Sequence, residues 1–194
     1  MLDDVNAKNN KYMDGLAEIS KREDIFPEYR DTPIGLLLEY HNLDRDLEEH
    51  ETPQLLTGTC MDHRVWLRLP EKFSYLIRTG GANLRYNEFQ VSFAITVGGI
   101  RHIALIGHSH CGMVNLPSKR ESFVHGLVET TGWKREHAEN HFQHFAPMFE
   151  IGHEVDFTLS EANRLRQRYP GIQVAPLIYL VENNRLYLLE EDRP

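Results

Sequence analysis

The only two cysteines of the chain lie in two short segments whose side chains are suited to metal chemistry. The segments are Cys60-Met61-Asp62-His63-Arg64 and Gly107-His108-Ser109-His110-Cys111-Gly112. Two thiolates and an imidazole are donors that Zn²⁺ prefers in tetrahedral sites, and a catalytic site keeps one position open. We therefore expect Cys60, His108 and Cys111 to be zinc ligands. Water, substrate or the Asp62 carboxylate would take the fourth position, the last of these in a closed state of the site.

Each segment follows a run that predicts a buried β-strand, at residues 54–59 and 102–106. The second run is continuously apolar at its centre, as expected for a strand covered on both faces. Open parallel sheets bind ligands beyond the carboxyl ends of their strands, so the two segments are expected side by side. Either motif alone is weak, and cysteines often serve as small buried hydrophobes. Together the motifs favour a metal site.

The wider pattern predicts an α/β fold. Strands are expected at 54–60, 73–78, 101–106, 172–180 and 185–189, and helices at 34–43, 62–72, 88–98, 123–128, 134–149 and 155–169, with another helix beginning at Gly112. This alternation favours a mostly parallel four-stranded sheet, with an antiparallel edge strand after a two-residue hairpin turn at Asn183-Asn184. Met13, Leu16 and Ile19 suggest an N-terminal amphipathic helix within residues 1–32, and a frayed terminus is the alternative.

The two motifs resemble those of the β-class carbonic anhydrases, which carry Cys-x-Asp-x-Arg after one strand and His-x-x-Cys-Gly after a later one. Between them, Arg78-Thr79-Gly80-Gly81-Ala82-Asn83 loosely resembles a loop of that family. The closing strand and hairpin from Val174 to Leu186 are also similar. The resemblance covers about residues 34–190 and implies a single zinc-binding α/β domain over 1–194, with residues 1–32 as a helical arm.

The resemblance implies reversible hydration of carbon dioxide to bicarbonate by a zinc-bound hydroxide. It implies catalytic roles for Asp62 and Arg64: Arg64 would hold the carboxylate away from the metal, so that Asp62 accepts a hydrogen bond from the zinc-bound water. An ordinary surface ion pair is the alternative. Gly81, Ala82 and Gly112 are expected to contact substrate. Hydrolysis of carbonyl sulfide or carbon disulfide at the same zinc, and a zinc-stabilised module without turnover, remain open.

Composition limits the other functions. The chain has 194 residues and a formal net charge of −8, and it lacks the basic stripe typical of nucleic-acid binding. Its apolar runs are too short to span a membrane, and its polar N-terminus is unlike a secretory signal. Two cysteines used as zinc thiolates suit the cytoplasm. A homodimer or a multiple of dimers is expected, because the N-terminal segment and the C-terminal edge strand need cover.

Several histidines have no fixed role in this interpretation. His63 and His110 adjoin the proposed ligands and could shuttle protons or face solvent. His137, His141 and His144 share one helical face and could bind a second metal, although a polar face or a subunit contact is the commoner explanation.

Overall fold

A six-stranded sheet forms the centre of the computed structural model, which describes residues 15–193. The strands are β1 (Leu16–Ala17), β2 (Leu55–Cys60), β3 (Ser74–Thr79), β4 (His102–His108), β5 (Gln173–Leu180) and β6 (Arg185–Leu189). The helices are α1 (Pro27–Arg30), α2 (Pro33–Asn42), α3 (Glu88–Thr96), α4 (Arg120–Thr131), α5 (Arg135–Phe149) and α6 (Glu154–Arg168). Within residues 15–193, no helix is long and apolar enough to cross a membrane.

The strand order is β1-β6-β5-β4-β2-β3. The four strands β2 to β5 are parallel to one another, and β6 runs antiparallel to β5. This confirms the predicted α/β class with a mostly parallel sheet and an antiparallel strand at one side. The sixth strand, β1, was not predicted, and it pairs antiparallel with β6.

Helices cover both faces of the sheet, which explains the continuously apolar sequence of β4. Ala104 and Ile106 belong to the core cluster on the α2 side, whereas Ile103 and Leu105 pack with residues of α3 and α6 on the other. A strand buried on both faces has no polar side to show in its sequence. Because β2 and β4 are parallel neighbours, their carboxyl ends bring the two cysteine-bearing segments to the same edge.

Residues 15–32 do not form the predicted helical arm. The Asp24 carboxylate accepts the backbone N–H groups of Ser20 and Lys21, both at 3.0 Å, and so closes a short 3-10 turn where a helix would have continued. Apolar side chains of this segment, such as Ile25, are buried in the core of the same chain. Met13, on which the prediction partly rested, lies outside the described residues.

Residues 62–72 do not form the predicted helix either. Arg78, on β3, donates from Nη2 to the carbonyls of Asp62 at 2.7 Å and Val65 at 2.9 Å, and from Nε to the carbonyl of Cys60 at 3.1 Å. In a helix these carbonyls would accept N–H groups four residues later. The apolar spacing of the segment predicted a helix because local periodicity does not reveal an arginine from a neighbouring strand.

Residues 112–119 form turns, ending in a short 3-10 segment, where the sequence predicted the start of a helix, and α4 begins at Arg120. Asn115 adopts a left-handed conformation with φ of 55°. The Glu150 carboxylate accepts the backbone N–H groups of Asn115 at 3.0 Å and Leu116 at 2.6 Å. A distant carboxylate therefore satisfies the backbone donors of this loop.

The predicted β5–β6 hairpin is confirmed, but its connection is longer than the two residues expected. Leu180 pairs with Arg185, so residues 181–184 form the turn. On its other side β6 pairs with β1 through Leu189 and Leu16. The C-terminal strand is thus covered, at least in part, by the same chain.

Candidate metal centre

The three predicted ligands converge at the carboxyl edge of the sheet. Cys60 ends β2, His108 ends β4, and Cys111 lies in the loop that follows β4. Their donor atoms all lie within 4.8 Å of one another, and the two sulfurs are 3.9 Å apart. All three residues are buried. Across residues 15–193, this is the one group of three or more His, Cys, Asp or Glu side chains whose donor atoms meet in this way.

The His108 ring is oriented by its backbone. Its Nδ1 lies 2.9 Å from the carbonyl oxygen of Ser109, so Nδ1 carries the proton and donates it. The other nitrogen, Nε2, is buried and has no hydrogen-bond partner among the described residues. A buried lone pair of this kind needs a partner, and a metal-binding histidine typically donates from its second nitrogen to a carbonyl or carboxylate. The ring is therefore prepared for a metal at Nε2.

The two cysteines interact directly. The hydrogen bond between the two sulfurs holds the pKa of Cys60 well below its usual range, at about 4, with help from His108 and from the backbone of Asp62 and Gly81. The same hydrogen bond raises the pKa of Cys111. The pair therefore shares one proton, and ionising both sulfurs calls for a nearby cation. Zn²⁺ fits this donor set, since it binds thiolates and imidazole.

The Asp62 carboxylate lies beside the donor atoms but is engaged elsewhere. Its Oδ2 is 4.0 Å from His108 Nε2. Arg64 donates from Nε to Oδ1 at 3.0 Å, from Nη2 to Oδ2 at 2.7 Å, and from its backbone N–H to Oδ1 at 3.0 Å. The hydrogen bonds from Arg64 hold the pKa of Asp62 well below its usual range. The predicted ion pair is therefore formed, next to the three converging donors.

The fold of this chain is similar to that of several solved structures. No protein-family model and no curated protein matches the sequence. Among solved structures, the β-carbonic anhydrase isoform I of Trichomonas vaginalis matches with a TM-score of 0.61 and 17% identity, over 80% of this chain and 92% of that one. A carbonic anhydrase from Glaciozyma antarctica matches at 0.55 and 21%, over 71% and 83% of the two chains. A carbon disulfide hydrolase matches at 0.52 and 20%, over 70% and 79%.

The chain has the β-carbonic anhydrase fold. The resemblance seen in its two motifs is thus confirmed in three dimensions, at sequence identities that establish the fold alone. Within this fold, the three converging donors occupy the strand ends at which the motifs were expected.

The residues expected to contact substrate occupy different environments. Gly81, with φ of 66°, and Ala82, with φ of 58°, form a tight buried turn. The backbone of Gly81 helps to lower the pKa of the Cys60 thiol, and Ala82 packs into the core cluster that contains Leu84. Gly112 lines an apolar cleft beside the metal group. Of the three residues, Gly112 is the one that lines this cleft, whereas Gly81 and Ala82 are buried in the turn.

Two residues that support the site in this chain were not assigned a role from the sequence. Arg78 binds the backbone carbonyls of Cys60, Asp62 and Val65, and so fixes the loop that carries the ion pair. Glu154, at the start of α6 and 4% exposed, accepts the Cys111 N–H at 3.1 Å. Arg78 had a detectable signal, because a charged side chain near the carboxyl end of a predicted strand lies close to that edge of the sheet. Glu154 had none.

The remaining histidines form two groups: those next to the candidate site, and those on α5. His63 is 94% exposed on its side chain, whereas His110 contacts Glu182 with Nε2 and Oε1 2.6 Å apart. On α5, His137 stacks on Trp133 with ring centroids 4.3 Å apart, and His141 packs among other aromatic rings. The α5 histidines are not among the converging donor groups found in residues 15–193. The structure therefore does not bring His137, His141 and His144 together as a second metal site, and His137 and His141 pack against aromatic rings instead.

An apolar cleft of about 420 Å³ flanks the metal group. Met61, Gly112 and Met113, each next to a ligand or one residue farther along the chain, line it together with side chains of α4 and α5. These helices contribute four phenylalanines, Phe123, Phe142, Phe145 and Phe149. Clefts of this size and polarity are typical of small-molecule sites.

Proposed function

We propose that this protein is a zinc enzyme that reversibly hydrates carbon dioxide to bicarbonate. One observation carries the proposal: three buried donors converge while the adjacent Asp62 carboxylate is bound to Arg64. A structural zinc site is closed by four protein ligands, whereas a catalytic site keeps a position open. The arrangement favours an enzyme over a zinc-stabilised module without turnover.

In this proposal, Cys60, His108 and Cys111 hold the metal. When bound, Zn²⁺ acts as a Lewis acid and lowers the pKa of water to about 7. The Asp62 carboxylate accepts a hydrogen bond from the reacting water, and Arg64 keeps that carboxylate off the metal and fixes its direction. Carbon dioxide and water are consumed, and bicarbonate and a proton leave. Gly112 and the cleft beside it provide an apolar approach for a neutral gas.

A second candidate activity is hydrolysis of carbon disulfide or carbonyl sulfide at the same site. The cleft supports it, because about 420 Å³ of apolar space lined by phenylalanine and methionine suits a larger, more polarisable molecule than carbon dioxide. A solved carbon disulfide hydrolase also shares the fold. Steady-state assays of the zinc-loaded protein on all three gases separate the candidates, with proton release reporting hydration and sulfide release reporting hydrolysis.

We propose a homodimer, or a multiple of dimers, built on β3. This strand ends the sheet, and its outer edge has no partner strand within residues 15–193. Large apolar side chains flank it, including Leu76, which is 54% exposed, and Phe89, which is 80% exposed; Trp66 and Phe93 are also exposed. An unpaired edge strand can pair with its own copy across a two-fold axis, because such an interface is self-complementary.

The other assignments follow from the same site. We propose a single zinc-binding α/β domain over residues 1–194, with a small gaseous substrate. A cytoplasmic location fits two buried cysteines that are free of a disulfide, because a reducing compartment keeps thiolates available for zinc.

A further inference from the structure

The turn between β5 and β6 continues the sheet past the metal ligand on β4. The Ser109 N–H donates to the carbonyl of Tyr179 at 3.0 Å, as the next rung of the β4–β5 ladder. The Ser109 hydroxyl accepts the Val181 N–H at 3.0 Å. If β4 had continued, a backbone carbonyl of that strand would have accepted this N–H group. The loop after His108 is thereby held against the end of β5.

Glu182, the next residue of that turn, binds the same loop at two points. Its Oε2 accepts the Ser109 hydroxyl at 2.8 Å, and its Oε1 lies 2.6 Å from His110 Nε2. Ser109 and His110 are the two residues between the ligands His108 and Cys111. His110 also has a φ of 54°, a conformation that side chains other than glycine seldom adopt without support from their surroundings.

The same loop anchors the ion pair. Arg64 Nη2 donates to the backbone carbonyl of His110 at 3.0 Å as well as to the Asp62 carboxylate. A continuous set of contacts therefore runs from Glu182 through His110 to Arg64 and then to Asp62. Displacing the loop at Glu182 would move both a pair of ligands and the group that holds Asp62.

We propose that Glu182 is a positioning residue of the metal centre. By holding Ser109 and His110, it fixes the separation of His108 and Cys111 and the carbonyl on which Arg64 rests. The inference rests on the metal centre of the proposed function, but not on which gas the enzyme converts. Groups that orient metal ligands change metal affinity or activity by about 10- to 100-fold when they are removed.

Glu182 suits substitution better than Glu154, the other carboxylate that contacts this loop. Glu154 is 4% exposed, so its removal would leave a buried amide without its partner. The Glu182 side chain is 31% exposed, and water can replace it without opening a cavity. Glu182→Ala removes both contacts, and Glu182→Gln keeps an oxygen that accepts the Ser109 hydroxyl. Glu191→Gln, at an exposed carboxylate beyond β6, is the matched control.

The test measures zinc transfer from the full-length, zinc-loaded protein to a chromophoric chelator, together with the visible spectrum of the cobalt-substituted protein. We expect Glu182→Ala to release zinc about 10- to 100-fold faster than wild type and to shift the thiolate-to-cobalt bands. The zinc release rate of Glu182→Gln should lie between those of Glu182→Ala and wild type. Glu191→Gln should release zinc at the wild-type rate. Thermal unfolding of each zinc-loaded variant separates a local change at the centre from general destabilisation.

Release rates and cobalt spectra that are the same in Glu182→Ala and Glu191→Gln would overturn the inference. If Glu182→Ala does not fold, Glu182→Gln provides the test. A wild-type zinc release rate and cobalt spectrum in Glu182→Gln would then overturn the positioning role of Glu182. A wild-type chain that retains no zinc overturns both this inference and the metal centre. Zinc binding without turnover of any of the three gases contradicts the proposed function alone.

Discussion

The Arg64 guanidinium binds the Asp62 carboxylate through two side-chain hydrogen bonds, Nε to Oδ1 at 3.0 Å and Nη2 to Oδ2 at 2.7 Å. Paired contacts of this kind fix direction as well as distance. They hold the carboxylate beside His108, whose Nε2 lies 4.0 Å from Oδ2. Under the proposed function, this ion pair decides whether the metal site is open to water or closed by Asp62.

Replacing Arg64 by alanine should close the site. Without its partner, the Asp62 carboxylate is free to become the fourth ligand, so zinc should stay bound while turnover falls about a hundredfold or more. Metal analysis and stopped-flow hydration assays of the same preparation check this. Arg168→Ala, on the exposed surface of α6, should keep full activity. Wild-type turnover of Arg64→Ala at every pH would make the pair a surface salt bridge only.

Asp62→Asn tests the other half of the pair. The amide is a poorer acceptor for the hydrogen bond from the reacting water and no longer attracts Arg64, so we expect retained zinc and a loss of about a hundredfold in kcat. Zinc content and kcat are measured together. An asparagine variant with wild-type kcat would show that Asp62 takes no part in the reaction.

Activity should rise with pH from about 6 to 9, because the proton loss from water that Zn²⁺ promotes is centred near neutrality. Asp62 does not cause the rise, since Arg64 holds its pKa well below the usual range and keeps it ionised throughout. A hydration rate that falls between neutral and alkaline pH would contradict the proposal.

The ionised Asp62 also contributes to folding stability. This contribution is fully present above the unfolded pKa of about 3.9 and is lost only as pH falls through the lower folded pKa.

The sequence predicted that Cys60, His108 and Cys111 converge, because that convergence follows from local features. Buried strands can be read from apolar runs, parallel strands share an edge, and Cys60, His108 and Cys111 follow or end such runs. The sheet and its helices were predicted for the same reason. The failures at 15–32, 62–72 and 112–119 share one cause. In each, a side chain takes backbone groups that a helix would have used.

Those side chains are Asp24, Arg78 and Glu150, and two of them come from distant parts of the chain. Hydrophobic spacing reports the preference of a segment in isolation and cannot register a partner many residues away. Glu182 went unassigned for the same reason, because its contact with Ser109 depends on the β4–β5 register. The residues that support this candidate metal centre were therefore harder to predict from the sequence than the three converging donors.

Assembly should depend on the outer edge of β3. Leu76→Asp places a charge on this apolar edge and should convert a dimer to a monomer, as measured by light scattering at micromolar concentration. Leu47→Asp is the control, because Leu47 is also exposed but lies in the loop before β2. A wild-type protein that is monomeric would contradict the dimer, and a dimeric Leu76→Asp would place the interface elsewhere.

Metal analysis combined with stopped-flow hydration assays tests most directly whether Cys60, His108 and Cys111 hold zinc and whether the zinc-loaded protein hydrates carbon dioxide. We expect about one zinc per chain in wild type, with carbon dioxide hydration proportional to zinc content. Cys111→Ser should lose both the metal and the activity. Full zinc occupancy in Cys111→Ser would contradict the ligand assignment, and zinc-loaded wild type without hydration activity would contradict the function.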